Sequence, residues 1–210
     1  MPVAASVGLL VAMAGCGDPA VEDNEPQDPQ PPLNEDAEEG PANGDGAPDT
    51  AASGSFQDPE GQTLGTVELI EAGEGAVEIR VRVEGLDPGF LGLHVHEIGA
   101  CEPDSTDPED PAESGDFLSA GAHLNPDDTD HPDHAGDLPS LLVMDNGEAT
   151  LAATTDRFTI DDLLDEDGTA FMVHSEADNF AHIPDRYDEP DQDTLDTGDA
   201  GDRLACAVIE

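Results

Sequence analysis

The chain has 210 residues, with 51 acidic against 5 basic side chains and a formal net charge of −46. It contains no lysine, and its five cations are Arg80, Arg82, Arg157, Arg186 and Arg203. The length allows one ordinary domain plus extensions, and the charge excludes nucleic acid or an anionic lipid surface as an electrostatic partner.

Residues 3–14, VAASVGLLVAMA, are too short to span a bilayer and have the length of the apolar region of a signal peptide. The following Met13-Ala14-Gly15-Cys16 resembles a bacterial lipobox, in which Cys16 would become the lipidated first residue of the mature protein. The pattern departs from that resemblance in one respect. No Lys or Arg precedes the apolar run, which points to a true start upstream of Met1. Residues 1–16 are therefore read as an export signal, and the protein as extracytoplasmic and lipid-anchored, periplasmic or at the cell surface. Gly17–Gly54 holds seven prolines, eleven acidic residues and no aromatic or basic residue. Such a composition cannot offset the entropy of folding and reads as a disordered acidic spacer, its ends roughly 35 Å apart as a flexible coil.

From Phe56 the pattern changes to short strands, so residues 55–210 are expected to form the folded domain. Ala76–Glu84 alternates, with Val77, Ile79, Val81 and Val83 on one face and Glu78, Arg80, Arg82 and Glu84 on the other. That is a half-buried antiparallel strand, and Gln62–Glu71 pairs with it across the turn at 72–75. Ser140–Asp145 and Ala149–Thr155 flank Asn146-Gly147, a strong hairpin signal. Thr169–His174 and Arg203–Ile209 read as further strands, and Ile160–Leu164 as a short helix at most. The expected class is all-β, a sandwich or closed barrel of about 150 residues.

Two stretches carry chemistry. In Leu91–Glu97, Leu91, Leu93 and Val95 face one way and His94 and His96 the other, so both imidazoles leave the barrel side by side. Histidines at i, i+2 on a strand suit copper, and His174 joins the same outward set because Phe171 and Val173 face inward. Gly121–Pro139, GAHLNPDDTDHPDHAGDLP, is too rich in Pro, Asp and Gly for helix or strand. It carries His123, His131, His134 and Asp137, a three-nitrogen, one-carboxylate set that suits tetrahedral zinc. Three cysteines sort by context: Cys16 ends an apolar run, and Cys101 and Cys206 lie far apart in the patterned region. A pair plus one special cysteine accounts for the odd count and points to an oxidising compartment.

GLHVHEIGAC, SAGAHLNP, HAGDLP, FMVHSEAD and GDAGDRLACAVI, in this order, closely resemble the copper/zinc superoxide dismutases, above all secreted bacterial members. The resemblance covers Phe56 to Glu210. It implies a Greek-key β-barrel, related to the immunoglobulin sandwich, with long metal-binding and electrostatic-type loops. It implies copper on His94, His96, His123 and His174, and zinc on His123, His131, His134 and Asp137, with His123 bridging. It further implies Asp178 as the aspartate that orients His94 and His131, a disulfide between Cys101 and Cys206, and Arg203 beside the copper. His182 is left as a surface residue. The zinc loop departs from the commoner pattern: only Pro132 and Asp133 separate His131 from His134, where many relatives have a longer insertion. Residues at i, i+3 in a turn can still converge on one ion, and both are kept, with a weakened zinc site left open.

The expectation is an enzyme, an oxidoreductase converting superoxide to oxygen and hydrogen peroxide with copper and zinc as cofactors, in which His123 and Arg203 take part in catalysis. A non-enzymatic copper-binding lipoprotein on the same barrel is the competing reading. It leaves the bridge and the arginine without a purpose. A homodimer is compatible with the sequence, and the only membrane association expected is the lipid at Cys16. The acidic excess reads as adaptation to high salt, where the Debye length falls to about 3 Å and self-repulsion is screened. The fold is expected to loosen in dilute buffer. High salt would also mute the long-range repulsion of an anionic substrate and leave Arg203 as a fixed local attraction.

Overall fold

The computed structural model describes residues 49–184, 186, 187 and 189–210. The stretch read as an export signal, Cys16 and most of the stretch read as an acidic spacer lie outside these residues. Among the described residues no helix is long and apolar enough to cross a membrane.

Eleven strands follow in order: β1 Ala52–Gln57, β2 Thr63–Glu71, β3 Val77–Val83, β4 Gly89–Leu91, β5 Leu93–His96, β6 Ser105–Thr106, β7 Ser114–Gly115, β8 Leu141–Val143, β9 Ala149–Thr155, β10 Ala170–His174 and β11 Arg203–Val208. Two short helices, α1 Ile160–Leu163 and α2 Gln192–Thr197, lie in the connections. The main sheet runs β5-β10-β11-β1-β2-β3-β9, and β4 pairs separately with β8. β4 and β5 are one extended run broken at Gly92, so its first half joins β8 and its second half joins β10. The β8–β9 hairpin, closed by Met144 N–H to the Glu148 carbonyl (2.9 Å), connects the two ends of this circuit and curls the sheet into a barrel. The chain passes from β3 across to β4–β5 and returns to pair β9 with β3, a Greek-key crossover.

Alternation decides which face is inside. Val67, Leu69, Val77, Ile79, Val81 and Val83 are buried, while the residues between them lie at or near the surface. Leu69 stands opposite Ile79, which stands opposite Ala153; Val67, Val81 and Leu151 form the next row. Leu93, Val95, Phe171, Val173, Ala205 and Ala207 complete the core from the other wall. A second apolar cluster of Phe117, Ala120, Ala170, Met172 and Cys206 lies under the Cys101 loop. Cys101 and Cys206 are disulfide-bonded, with Cα atoms 5.6 Å apart, which ties that loop to β11.

Two features differ from the sequence reading. β1 starts at Ala52, inside the stretch assigned to the spacer, because only Ala52 and Phe56 of its six residues are buried and the Ser/Gly positions between them hide the alternation. Helix α2 had no periodic signal. Six residues suffice because the Asp191 side chain accepts from Thr194 N–H at its start and Gly198 takes a left-handed φ of 62° at its end.

Candidate metal centre

The imidazoles of His94, His96 and His174 leave the barrel on its outer side, as the strand pattern requires, yet all three are buried. The long loops cover them. Backbone bridges pair His96 with His123 and His94 with Asp137, which lays the 121–139 loop along β5. Gly136 allows this approach: it accepts from Val95 N–H (2.8 Å), and a Cβ there would collide with the Val95 carbonyl.

Each ring is held by one nitrogen. Asp178 accepts from His94 Nε2 (2.9 Å) with one oxygen and from His131 Nε2 (2.8 Å) with the other. His96 Nδ1 donates to the Gly121 carbonyl (2.9 Å), and His174 Nδ1 donates to the Gly201 carbonyl (3.0 Å). These bonds fix the tautomers and leave the opposite nitrogens bare. His94 Nδ1, His96 Nε2 and His174 Nε2 are buried without a hydrogen-bond partner, while His131 Nδ1 faces the Asp137 carboxylate at 3.0 Å. An unpaired polar atom in a protein interior is costly. Three bare imidazole nitrogens in one region are therefore a donor set for a cation.

The donors fall into two groups. His94, His96, His123 and His174 offer ligand atoms within 4.8 Å of one another, and a second group of the same spread gathers His94, His123, His131 and Asp137. Around Asp137, its carboxylate lies 2.9 Å from His123 Nδ1, 3.0 Å from His131 Nδ1 and 3.3 Å from His134 Nδ1. His134 Nδ1 and His123 Nδ1 are 3.3 Å apart. Zinc–ligand distances of about 2.0–2.1 Å imply tetrahedron edges of about 3.3 Å, so His123, His131, His134 and Asp137 could hold zinc. Asp178 directs His94 Nδ1 to the other group, which makes His94 a neighbour of this set. His123 belongs to both, since its Nδ1 is committed to Asp137 and its other nitrogen remains for the all-histidine group.

Burial, the largest influence, lowers the pKa of His94 and His123 to about 4 and of His174 to about 3, and takes His96 well below its ordinary value. Neutral imidazoles at physiological pH are the form a metal requires. His131 goes the other way. Burial would lower it, but Asp137 and Asp178 together raise it to about 9. Asp137 and Asp178 are held well below the carboxylate range, since the histidines facing them outweigh the opposing effect of burial. In the metal-free protein a proton on His131 thus takes the place of a cation.

Arg203, on β11, donates from Nη1 to the Phe117 carbonyl (2.7 Å) and from Nη2 to the Gly121 carbonyl (2.8 Å). The Gly121 carbonyl is also the acceptor of His96, which places Arg203 beside the all-histidine group, and its positive charge helps to lower the pKa of His96 and His174. His182 is exposed. The sequence reading missed Gly198, where a Cβ would collide with the Asp178 carboxylate and His131, and Phe180, whose ring stacks on His131 with centroids 6.3 Å apart. It also missed Arg157, which bonds the Pro132 and His134 carbonyls. Only the left-handed glycine after an Asp-capped turn left a trace in the sequence.

Residues 63–209 match the model of the family described as copper/zinc superoxide dismutase (SODC). The chain belongs to this family. A superoxide dismutase [Cu-Zn] of Mycolicibacterium paratuberculosis is 39% identical over 222 aligned positions, covering 100% of this chain and 97% of that protein. Its counterpart from Mycobacterium tuberculosis is 46% identical over 72% of this chain and 66% of its own length. Among solved structures, the Cu/Zn superoxide dismutase from Brucella abortus superposes with a TM-score of 0.59 at 31% identity, covering 76% of this chain and 99% of that one. The barrel, which carries this disulfide and these two histidine groups, is thus that of a chain in the copper/zinc superoxide dismutase family.

Proposed function

We propose that this protein disproportionates superoxide to oxygen and hydrogen peroxide outside the cytoplasm. Copper would be held by His94, His96, His123 and His174, and zinc by His123, His131, His134 and Asp137. The observation that carries the reading is His123, which belongs to both donor groups and has its Nδ1 on Asp137, leaving its other nitrogen for the all-histidine group. A protein that only stored copper would need one group and no shared imidazole.

When bound, copper supplies the one-electron exchange that oxidises one superoxide and reduces the next, and zinc supplies a fixed charge without redox change. The protein does the remainder. Asp178 and the Gly121 and Gly201 carbonyls hold four rings so that bare nitrogens face inward. His123 is the ring placed to carry a proton on the nitrogen opposite Asp137, since its Nδ1 is already engaged. Formation of hydrogen peroxide consumes two protons, and the His123 nitrogen opposite Asp137 is placed to supply one of them. Arg203 offers a fixed cation beside the all-histidine group, which a superoxide anion must meet in a chain of charge −46. Support for an extracytoplasmic site is the Cys101–Cys206 disulfide, which persists in oxidising compartments. The apolar run ending at Cys16 supports a lipid anchor, and the acidic surface supports a high-salt setting.

The test is the superoxide decay rate of protein loaded with copper and zinc in molar salt, beside His123→Ala loaded alike. Fast copper-dependent decay that the variant loses is the expected result. Decay no faster than free copper, with copper still bound stoichiometrically, would replace the enzyme with a copper carrier.

A further inference from the structure

Four of the six histidines in the centre have rings oriented by a group outside the donor set. His94 and His131 share Asp178, His96 and His174 have carbonyl acceptors, and His123, whose ring turns to Asp137 and His134, has its backbone bridged to His96 of β5. His134 is the exception. Among the described residues its ring lies against only His123, His131 and Asp137, all members of the same set. Its direction must therefore come from its backbone.

That backbone is held from an unexpected quarter. Arg157 lies two residues beyond the end of β9, and its Nη1 donates to the carbonyls of Pro132 and His134, both at 3.0 Å. Its Nη2 lies 3.9 Å from the Asp133 carboxylate. The guanidinium thus spans three consecutive residues of the turn that carries His134. The other bonds to this turn are local: Asp133 N–H to the Asp130 carbonyl, His134 N–H to Asp137, and Asp137 N–H to the His134 carbonyl. Among the described residues, 132–134 receive hydrogen bonds from outside the 121–139 loop only from Arg157. The neighbouring points are fastened elsewhere, His131 N–H to the Leu195 carbonyl and Gly136 to Val95 of β5.

The loop has a reason to need this brace. Residues 127–137 carry Asp127, Asp128, Asp130, Asp133 and Asp137 with no arginine or lysine among them. Only two residues separate His131 from His134, so their nitrogens converge through the shape of the turn, with no longer loop to absorb error. A guanidinium anchored on the barrel gathers two carbonyls to one nitrogen and sits opposite the Asp133 charge, which sets the turn against β9.

We propose that Arg157 is a positioning residue for zinc: it holds His134 Nδ1 in the set and thereby fixes zinc affinity without touching the copper group. The inference rests on the zinc assignment made above, and the experiment separates the two.

Copper-loaded protein is titrated with cobalt(II), whose visible bands report a tetrahedral N3O site, and with zinc against a competing chelator. Wild type, Arg157→Gln, Arg157→Lys, His134→Ala and the His134→Ala/Arg157→Gln double variant are compared. Arg157→Gln should weaken zinc about 10–100-fold and lower the intensity of the cobalt bands as water replaces His134. The copper(II) resonance spectrum of the same variant should match wild type, which shows that the barrel is intact. Arg157→Lys should recover most of the affinity, because both carbonyl bonds come from one nitrogen. The double variant should bind no more weakly than His134→Ala alone. Unchanged zinc affinity in Arg157→Gln, or a further loss in the double variant, would overturn the inference. Wild type that gives no tetrahedral cobalt site would instead overturn the zinc assignment itself.

Discussion

Arg203 and His96 donate to the same carbonyl oxygen, that of Gly121, at 2.8 and 2.9 Å. One backbone atom therefore aligns both the cation beside the site and a copper-facing ring. Arg203→Lys keeps a charge but cannot span the Phe117 and Gly121 carbonyls together. The expected outcome is a fall of about tenfold in kcat/KM for superoxide, about 1.4 kcal/mol in the barrier. Copper should stay bound. Pulse radiolysis with parallel metal analysis checks both, and equal rates for the two proteins would remove Arg203 from substrate attraction.

Asp178 is a stricter case, because it accepts from His94 and His131 with separate oxygens. Asp178→Asn has one acceptor and one donor face. One of the two rings must then turn its bare Nε2 to the amide and carry its proton on Nδ1, the atom needed for a metal. A loss of about 10–100-fold in affinity for one metal is expected, with the other less affected. Metal content after graded chelation measures it. Equal retention of both metals would show that the shared carboxylate does not set the tautomers.

Much of this centre was legible because side chains carry it. The alternation of Leu93 and Val95 with His94 and His96 fixes which way the imidazoles leave the barrel, and the structure keeps that sense while covering the rings with loops. The Cys101–Cys206 pairing and the place of Asp178 followed from resemblance; in the structure the two cysteines are bonded and Asp178 accepts from His94 and His131. What stayed hidden depends on backbone atoms. Arg157 acts on the carbonyls of Pro132 and His134, and His96 on that of Gly121, partners that have no signature in residue type. Gly198 matters for the space it leaves beside Asp178, which is a property of the fold.

The metal-free protein should be most stable near neutrality. His94, His123 and His174 titrate near 4, 4 and 3 when folded, and His96 is also lowered, whereas each takes up a proton near 6.5 when unfolded. The unfolded chain then binds more protons below that pH, so stability falls as pH drops from about 6.5 towards 4. His131 has the opposite sign. Raised to about 9, its contribution is complete below 6.5 and is lost as pH climbs through 9. Urea midpoints of metal-free protein at about pH 5, 7 and 10 should therefore peak at the middle value. Metal competes with the same protons, so loading should lower the acid limit. A midpoint still rising towards acid would show that the rings are not buried as neutral bases.

The last prediction concerns the −46 charge. Few of the acidic side chains have a cation to pair with, since Arg157 and Arg203 are engaged by backbone carbonyls and Arg80 by Glu78. Self-repulsion among carboxylates therefore acts on the folded state more than on the expanded chain, and it is screened as the Debye length falls from about 10 Å at 0.1 M salt to about 3 Å at 1 M. The thermal midpoint should rise steadily across that range and should rise equally in sodium and potassium chloride, since screening depends on ionic strength and not on the cation. The disulfide sets a floor: a loop closed over 105 residues contributes about 4.7 kcal/mol in the chain-entropy model, so reduction should make the low-salt protein unfold first. Calorimetry of oxidised and reduced protein over a salt series measures both effects. A midpoint insensitive to salt would mean that the acidic surface serves solubility and places no load on the fold.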